Sequence, residues 1–349
     1  MGIKFQIFNE STQLDYLKLL HDFKLELDIY YYPSFLSNDA KIQGGEFEIF
    51  VYIEQNEIFI YPYIKLPFEQ EKFKGYFDLS SPYGYCGPYC TSESIFQEAE
   101  IAFIDYIKNY CVTEFVRYHY LYNEQQKFTK QIHNIQNRTI VTLNTTLDWD
   151  TIWTKEFSST NRNLVRKLEK EKYNFFVTKE KEDLLGFMEM YYSTMKSVGA
   201  SDFYYFDKEL INRLYADLGE KIFLVKVEKE NVVYSYSLFF ISGGIGTYYL
   251  SARNVNYPKI PATNFLLAKT AELLKEKGAS VLNFGGGLTN EKDDFLFKFK
   301  SNFSKEKKEF FIGKRIFNNS IYNQLINDWI GLYGNNEYEK RKNILQFYR

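Results

Sequence analysis

Three consecutive glycines, Gly285, Gly286 and Gly287, follow a short apolar run, Val281-Leu282-Asn283-Phe284, and lead through a polar loop to Phe299-Lys300. Glycines at a strand end let the backbone take φ > 0 and approach a ligand closely. A lysine soon after can set a positive charge beside that exposed backbone, which suits an anion or a developing oxyanion. A plainer reading stands beside this one: a turn, then a surface lysine next to a core phenylalanine. The intervening Asp293-Asp294 reads as loop solvation or a helix N-cap rather than an acid pair. No GxGxxG and no P-loop pattern is present.

A second basic feature lies in Asp148–Lys172. Arg162 and Arg166 are four apart and share a helical face, with Lys167, Lys170 and Lys172 beside them. Such a face is either simply solvated or a contact for phosphate, including tRNA, because the arginine fork matches phosphate geometry. Metal chemistry has no support. Cys86-x-x-x-Cys90 lacks a Cys/His partner cluster, and His21, His119 and His133 show no ligand spacing.

Composition narrows the class. The chain has 349 residues, 45% hydrophobic and 25% charged, with net charge −2. That fits about two domains. No global field favours nucleic acid or anionic lipid, so DNA is not expected and any RNA or peripheral membrane contact must be local. The N-terminal stretch lacks an apolar signal core, and no run is long enough to cross a membrane. Three cysteines argue against a disulfide scaffold and fit a reducing cytoplasm. The 31 Tyr and 33 Phe read as compositional bias rather than a surface for stacking bases.

The elements that must position these residues are legible in outline. A helix over residues 5–30 is expected, capped by Ser11 or Thr12, with Leu14, Leu17, Leu20 and Leu27 on one face and Tyr30–Pro33 ending it. Residues 46–66 predict a hairpin, and Pro62 marks an edge or bulge. A strand at 75–80, a Gly/Pro/Tyr-rich loop, a helix over 92–110 with a Ser94/Gln97 capping box, and a strand at 114–118 follow. Residues 123–137 read as irregular and 139–143 as a strand. Helices are expected over 148–172, 182–198, 208–218, 262–277 and 321–330. Strands are expected over 222–227, 232–240, 247–252 and 281–284. Gly278 is the C-cap of the 262–277 helix.

The two halves repeat one order: hairpin, strand, loop, helix, strand. Ile49 and Ile222, the turns at Glu54 and Glu228, and Asn123-Glu124 with Asn290-Glu291 are all about 170 residues apart, which points to a duplicated domain. The unit is a mixed sheet with one crossover helix, an α+β pattern.

Several stretches carry a resemblance when taken in this order: FDLSSPYGYCGPY (77–89), FVRYHYLYNE (115–124), NRNLVRKLEKEKYNFFV (161–177), YYSTMKSVGASDFYYF (191–206), YYLSARN with PATNFLLAKTAELLKEKGASVLNFGGG (248–287), and FKSNF (299–303). Together they resemble the Fem family of non-ribosomal aminoacyltransferases and related GNAT-superfamily acyltransferases. The resemblance implies two tandem GNAT-like domains, residues 1–145 and 146–315, and a C-terminal helical tail, 316–349, that packs back on the first domain. It implies a cytoplasmic acyltransferase with no tightly bound cofactor. Aminoacyl-tRNA or acyl-CoA would be the co-substrate. The acceptor would be an amine of a cell-envelope precursor, a peptidoglycan or polysaccharide intermediate. An amino-sugar N-acetyltransferase and a non-catalytic binding protein are the alternatives.

Phe299-Lys300 matches the Phe-Lys pair recurrent in Fem proteins, where the lysine is thought to stabilise charge on the attacked carbonyl. The amine nucleophile must be neutral, and Asp78 resembles an acid that could take its proton; it reads equally as an Asx-turn. Tyr248, Tyr249, the three glycines, Tyr83, Tyr85, Arg162 and Arg166 are the substrate-binding candidates. The departures are specific. Tyr257–Ala262 carries no Gly-x-Gly before the crossover helix, which favours a Fem-like donor over CoA. Gly199–Leu210 holds no arginine where bridge-forming members tend to carry one, and the long helical arm is absent, so the acceptor need not be peptidoglycan.

Overall fold

The computed structural model describes residues 5–122, 132–289, 291 and 293–349. The chain begins with β1 (Phe5–Phe8), α1 (Gln13–Asp22) and α2 (Pro33–Gln43). Then come β2 (Glu46–Glu54), β3 (Glu57–Pro67), β4 (Phe77–Ser80), the two-residue β5 (Tyr89–Cys90), α3 (Phe96–Ile107), β6 (Cys111–Arg117) and β7 (His133–Asn144). A short α4 (Trp149–Thr151) runs into a π-helical turn, Ile152–Glu156. It is followed by α5 (Ser159–Lys170), β8 (Asn174–Thr178), α6 (Lys181–Ser197) and α7 (Lys208–Leu218). The rest is β9 (Ile222–Lys229), β10 (Val232–Ser242), β11 (Ile245–Arg253), α8 (Ala262–Glu276), β12 (Val281–Gly286), α9 (Phe295–Ser301), β13 (Lys307–Ile316), α10 (Asn319–Tyr333) and α11 (Asn335–Arg341).

Two compact units result. One comprises Met1–Lys24, Tyr30–Asn137 and Glu309–Arg349; the other comprises Leu25–Ile29 and Arg138–Lys308. In the first, the strand order is β1-β2-β3-β4-β6-β13, with β5 on β3. In the second it is β7-β12-β11-β10-β9-β8. Each sheet has one parallel pair, β4/β6 and β11/β12, joined by a crossover helix, α3 or α8. The repeated order read from the sequence is therefore the order of elements in both units. Of its last anchors, Asn123, Glu124 and Asn290 lie outside the described residues.

The unit boundaries differ from those expected at 145/146 and 315/316. Each sheet is finished by a strand from the other half of the chain. Thr113–Arg117 of β6 pairs with Ile312–Ile316 of β13, and Val281–Gly286 of β12 pairs with Ile140–Asn144 of β7. A linear cut cannot express that exchange. The tail belongs to the first unit, where Gln346 donates to the carbonyl of Leu79.

The crossover helices bury one stripe each. In α3 it is Phe96, Ala99, Phe103 and Ile107, the helical spacing of an apolar face. In α8 it includes Leu267, Ala271 and Leu274 as expected. Gly246 of β11 allows this close packing, since a Cβ there would lie 2.6 Å from Leu274.

Several local expectations are corrected. Asn9, not Ser11 or Thr12, caps the first helical segment, and Pro33 starts α2 rather than only ending what precedes it. Leu14 is 77% exposed, Leu17 also faces out, and Tyr16 and Leu20 are the buried residues. Ser92, not Ser94, accepts the capping N–H before α3. Residues 133–137 are strand, and β1 and β8 join the sheets as edge strands. The expected 148–172 helix breaks at the π-helical turn and restarts at Ser158, which caps α5 through the N–H of Asn161.

Candidate active site

In the second unit β11 and β12 pair in parallel only from Ile245/Val281 to Thr247/Asn283. Beyond that point β11 continues to Arg253 and β12 to Gly286 without pairing each other. The strands thus part at their C-terminal ends, the side of a parallel pair where ligands are commonly bound. Tyr248 and Tyr249 follow at once on β11. The β10/β11 register slips there, from Leu238/Leu250 to Phe239/Tyr248, leaving Tyr249 as the bulged residue.

The glycines have three separate jobs. Gly285 has φ +78° and turns the end of β12. Gly286 presents its carbonyl to Lys300, whose Nζ donates to it at 2.7 Å. Gly287 leaves room for Asp294, because a Cβ at Gly287 would lie 2.5 Å from its Oδ1. Gly285 thus shapes the strand end, while Gly286 and Gly287 support Lys300 and Asp294.

Asp294 ties the loop to α9. Its Oδ2 accepts from the N–H groups of Leu288 and Thr289, and its Oδ1 accepts from Phe297 N–H, capping α9. Burial pushes its carboxyl up, but the donors on Phe297, Thr289 and Leu288 outweigh that and hold it below the ordinary range. Asp293 instead pairs with Lys298 at 2.7 Å.

Lys300 is 8% exposed. Its Nζ lies 5.9 Å from the centre of the Tyr248 ring. Burial lowers its pKa to about 7, Asp294 opposing the shift and Arg138 adding to it. Arg138 donates to the Gly287 carbonyl at 2.9 Å. The sequence reading missed it; its only local signal is a lone cation just before the strand expected at 139–143. The Tyr248 hydroxyl is pushed up to about 12, mainly by burial, against hydrogen bonds to Ser251 and Ser237. A mostly buried ammonium beside an open strand end can stabilise negative charge on a carbonyl placed there.

Phe299 packs on the core of the second unit, 5.6 Å from the Phe303 ring, and helps to hold α9. Arg162 is also redirected: its Nη1 donates to the carbonyls of Trp153, Thr154 and Phe157, closing the π-helical turn. Arg166 remains exposed, its guanidinium 5.5 Å from the Trp153 ring.

The other candidates belong to the first unit. Asp78 is buried, and both oxygens are engaged. Oδ1 accepts from Thr113 N–H and hydroxyl, and Oδ2 from Tyr348 hydroxyl and Arg349 Nε at 2.7 Å. Burial raises its pKa despite Arg349. In place of an Asx-turn, this carboxylate anchors the C-terminal residues to β4 and β6. Tyr83 N–H donates to Asp39, and Tyr85 packs edge-on against Tyr120 and Phe310. Among the described residues no His/Cys/Asp/Glu group is placed to hold a metal ion.

The family model for an acetyltransferase (GNAT) domain matches residues 155–293. The matched residues lie within the second unit, which is thus similar to an acetyltransferase (GNAT) domain. No curated protein sequence matches the chain. Solved structures extend the likeness to both units. One described as FemX has a TM-score of 0.71 at 13% identity, covering 92% of this chain and 99% of its own. The C-terminal domain of a putative lysylphosphatidylglycerol synthetase from Agrobacterium fabrum has a TM-score of 0.54 at 11% identity, covering 88% and 94%. L-PGS from Bacillus licheniformis has a TM-score of 0.53 at 13% identity, covering 85% and 91%. The chain thus has the Fem-like fold of tandem GNAT-type units. No helix among the described residues is long and apolar enough to cross a membrane.

Proposed function

We propose that this acyltransferase moves an aminoacyl, or another acyl, group onto an amine of a cell-envelope precursor, with aminoacyl-tRNA as donor and Lys300 as the oxyanion-stabilising cation. The observation that carries the reading is the mostly buried Lys300 Nζ, held on the Gly286 carbonyl beside the parted ends of β11 and β12. In the reaction the neutral amine nitrogen bonds to the acyl carbon and the carbon–oxygen bond to the tRNA ribose breaks. The amine's proton passes to the leaving oxygen. Negative charge collects on the carbonyl oxygen in between, where a fixed cation contributes roughly 3–4 kcal/mol, the scale of one oxyanion-hole donor. Asp78 is not proposed as the base, since both its oxygens are already engaged, one by Thr113 and the other by Tyr348 and Arg349.

The test is transfer of labelled acyl groups from aminoacyl-tRNA or acetyl-CoA to a peptidoglycan stem peptide or to an amino sugar. Wild-type protein should transfer from one donor. Lys300→Met should lose at least a hundredfold in kcat with an unchanged melting temperature or a higher one. Full activity in that variant would remove Lys300 from the mechanism. The acyl-CoA reading, with an amino sugar as acceptor, has one observation in its favour: no side chain caps the N-terminus of α8, leaving N–H groups that suit a pyrophosphate.

A further inference from the structure

Three polar side chains in the second unit lie next to one another, buried, each with a hydrogen-bonding atom that has no partner. They are Thr142 of β7, Asn283 of β12 and Thr247 of β11. Thr142 is opposite Asn283, and Asn283 is opposite Thr247. Their relative exposures are 0%, 0% and 4%. The unpartnered atoms are Thr142 Oγ1, Asn283 Nδ2 and Thr247 Oγ1. The Asn283 amide is oriented by its other end, because Oδ1 accepts the Gly285 N–H at 2.7 Å. A donor there requires the oxygen, so the free end is the NH2 group.

Buried polar groups are normally satisfied, and each one left unmade is costly. Three in one cross-strand row, on three adjacent strands, mark a place built to receive hydrogen bonds. The row also has a defined side. Leu143 and Leu282 point into the core beneath α8, and Tyr248 packs against the same core. Successive residues of a strand face opposite ways, so Thr142, Asn283 and Thr247 face away from it. They sit at the last pair before β11 and β12 part, on the face opposite Tyr248, whose ring lies under the Lys300 ammonium.

We propose that Thr142, Asn283 and Thr247 form the floor of the acceptor site, binding a secondary amide next to the reacting amine. The NH2 of Asn283 donates to the amide oxygen, and the threonine hydroxyls, able to donate or accept, bind the oxygen and the amide N–H. The acyl donor occupies the Lys300 side, and the amine reaches it through the gap between the strands. This assignment rests on the reading of the unit as an acyltransferase. Two acceptors carry the required amide: a peptidoglycan stem peptide and a 2-acetamido-4-amino sugar.

The test uses Thr142→Val and Thr247→Val, which keep shape and remove the hydroxyl. Each is expected to raise the KM for the acceptor about tenfold, the equivalent of one hydrogen bond. Acceptor-independent hydrolysis of the donor should be unchanged, and the melting temperature equal or higher, since an unpaired buried hydroxyl is replaced by a methyl group. An acceptor KM within twofold of wild type overturns the proposal. So does a lower melting temperature with unchanged KM, which would assign the row to an internal water. Calorimetric titration with the stem peptide and with the amino sugar separates this from the transferase reading. Binding by wild type that weakens in the variants supports the row even without turnover. Binding of neither compound by wild type overturns it, whatever the turnover assays give.

Discussion

Lys300 bears its proton where burial disfavours charge, and that makes it a pH-sensitive group. Its pKa is lowered from 10.5 to about 7. Below about 7 both folded and unfolded chains hold the proton, and the fold carries the full penalty of a buried cation. Between about 7 and 10.5 the unfolded chain binds more protons, so stability rises with pH across that window. Lys300→Met should therefore be stabilising at pH 6.5 and lose that advantage towards pH 10, as followed by denaturant melts. Activity should run the other way. If the cation is required, kcat/KM falls as pH rises through about 7, and Lys300→Arg should flatten that limb. Asp294→Asn removes the charge that holds the lysine's pKa up, so the limb should move to lower pH. Lys300 stood out in the sequence through its place after a Gly-rich strand end. Its partner on the Gly286 carbonyl and the influence of Arg138 did not, because the first depends on how the loop and α9 fold back on the end of β12 and the second on β7 pairing with β12 from distant sequence.

At the scale of elements, α9 is set in place by its cap and by the loop that the cap gathers. Gly287→Ala would drive a methyl group into the Asp294 carboxylate. It should cost about 1–3 kcal/mol, as overpacking does, and misplace Lys300 enough to lower kcat more than it raises KM. Asp294 was legible as a cap because an acid one or two residues before an apolar helix has few other uses. The π-helical turn was not legible: its residues, Ile152–Glu156, have ordinary helical propensity. What reshapes them is Phe157 and the Arg162 guanidinium collecting three carbonyls. That arrangement also redirects the tRNA prediction. Arg166, Lys170 and Lys172 are exposed. Replacing all three with alanine should weaken tRNA binding and flatten its salt dependence, whereas Arg162→Ala should act through stability. Equal salt slopes in both proteins would exclude phosphate contact at α5.

The whole molecule consists of two units of one design, and the period near 170 residues carries that design in the sequence itself. The exchange of last strands was hidden: residues 139–143 of β7 read as an ordinary strand with nothing to say which sheet it joins, and β13 was not expected at all. Arg315 of β13 shows what holds the exchanged strand in the first unit. It reaches Glu100 of α3 at 2.9 Å and Glu114 of β6 at 3.1 Å, and is 7% exposed. Arg315→Ala strands two carboxylates in a buried place and should cost about 3–5 kcal/mol, visible as a lower melting temperature. A chain ending at Lys308 should leave the first unit poorly folded, with weak amide protection in β6.

The exchange also sets an order of events during synthesis. β6 ends at Arg117, yet the strand that covers its edge ends at Ile316. At about 5–20 residues per second, the ribosome leaves that edge open for roughly 10–40 s, and a bare strand edge is a template for pairing with other chains. The protein therefore enters the cell with its first half waiting for its second, and slower translation of residues 118–316 should lower the soluble yield.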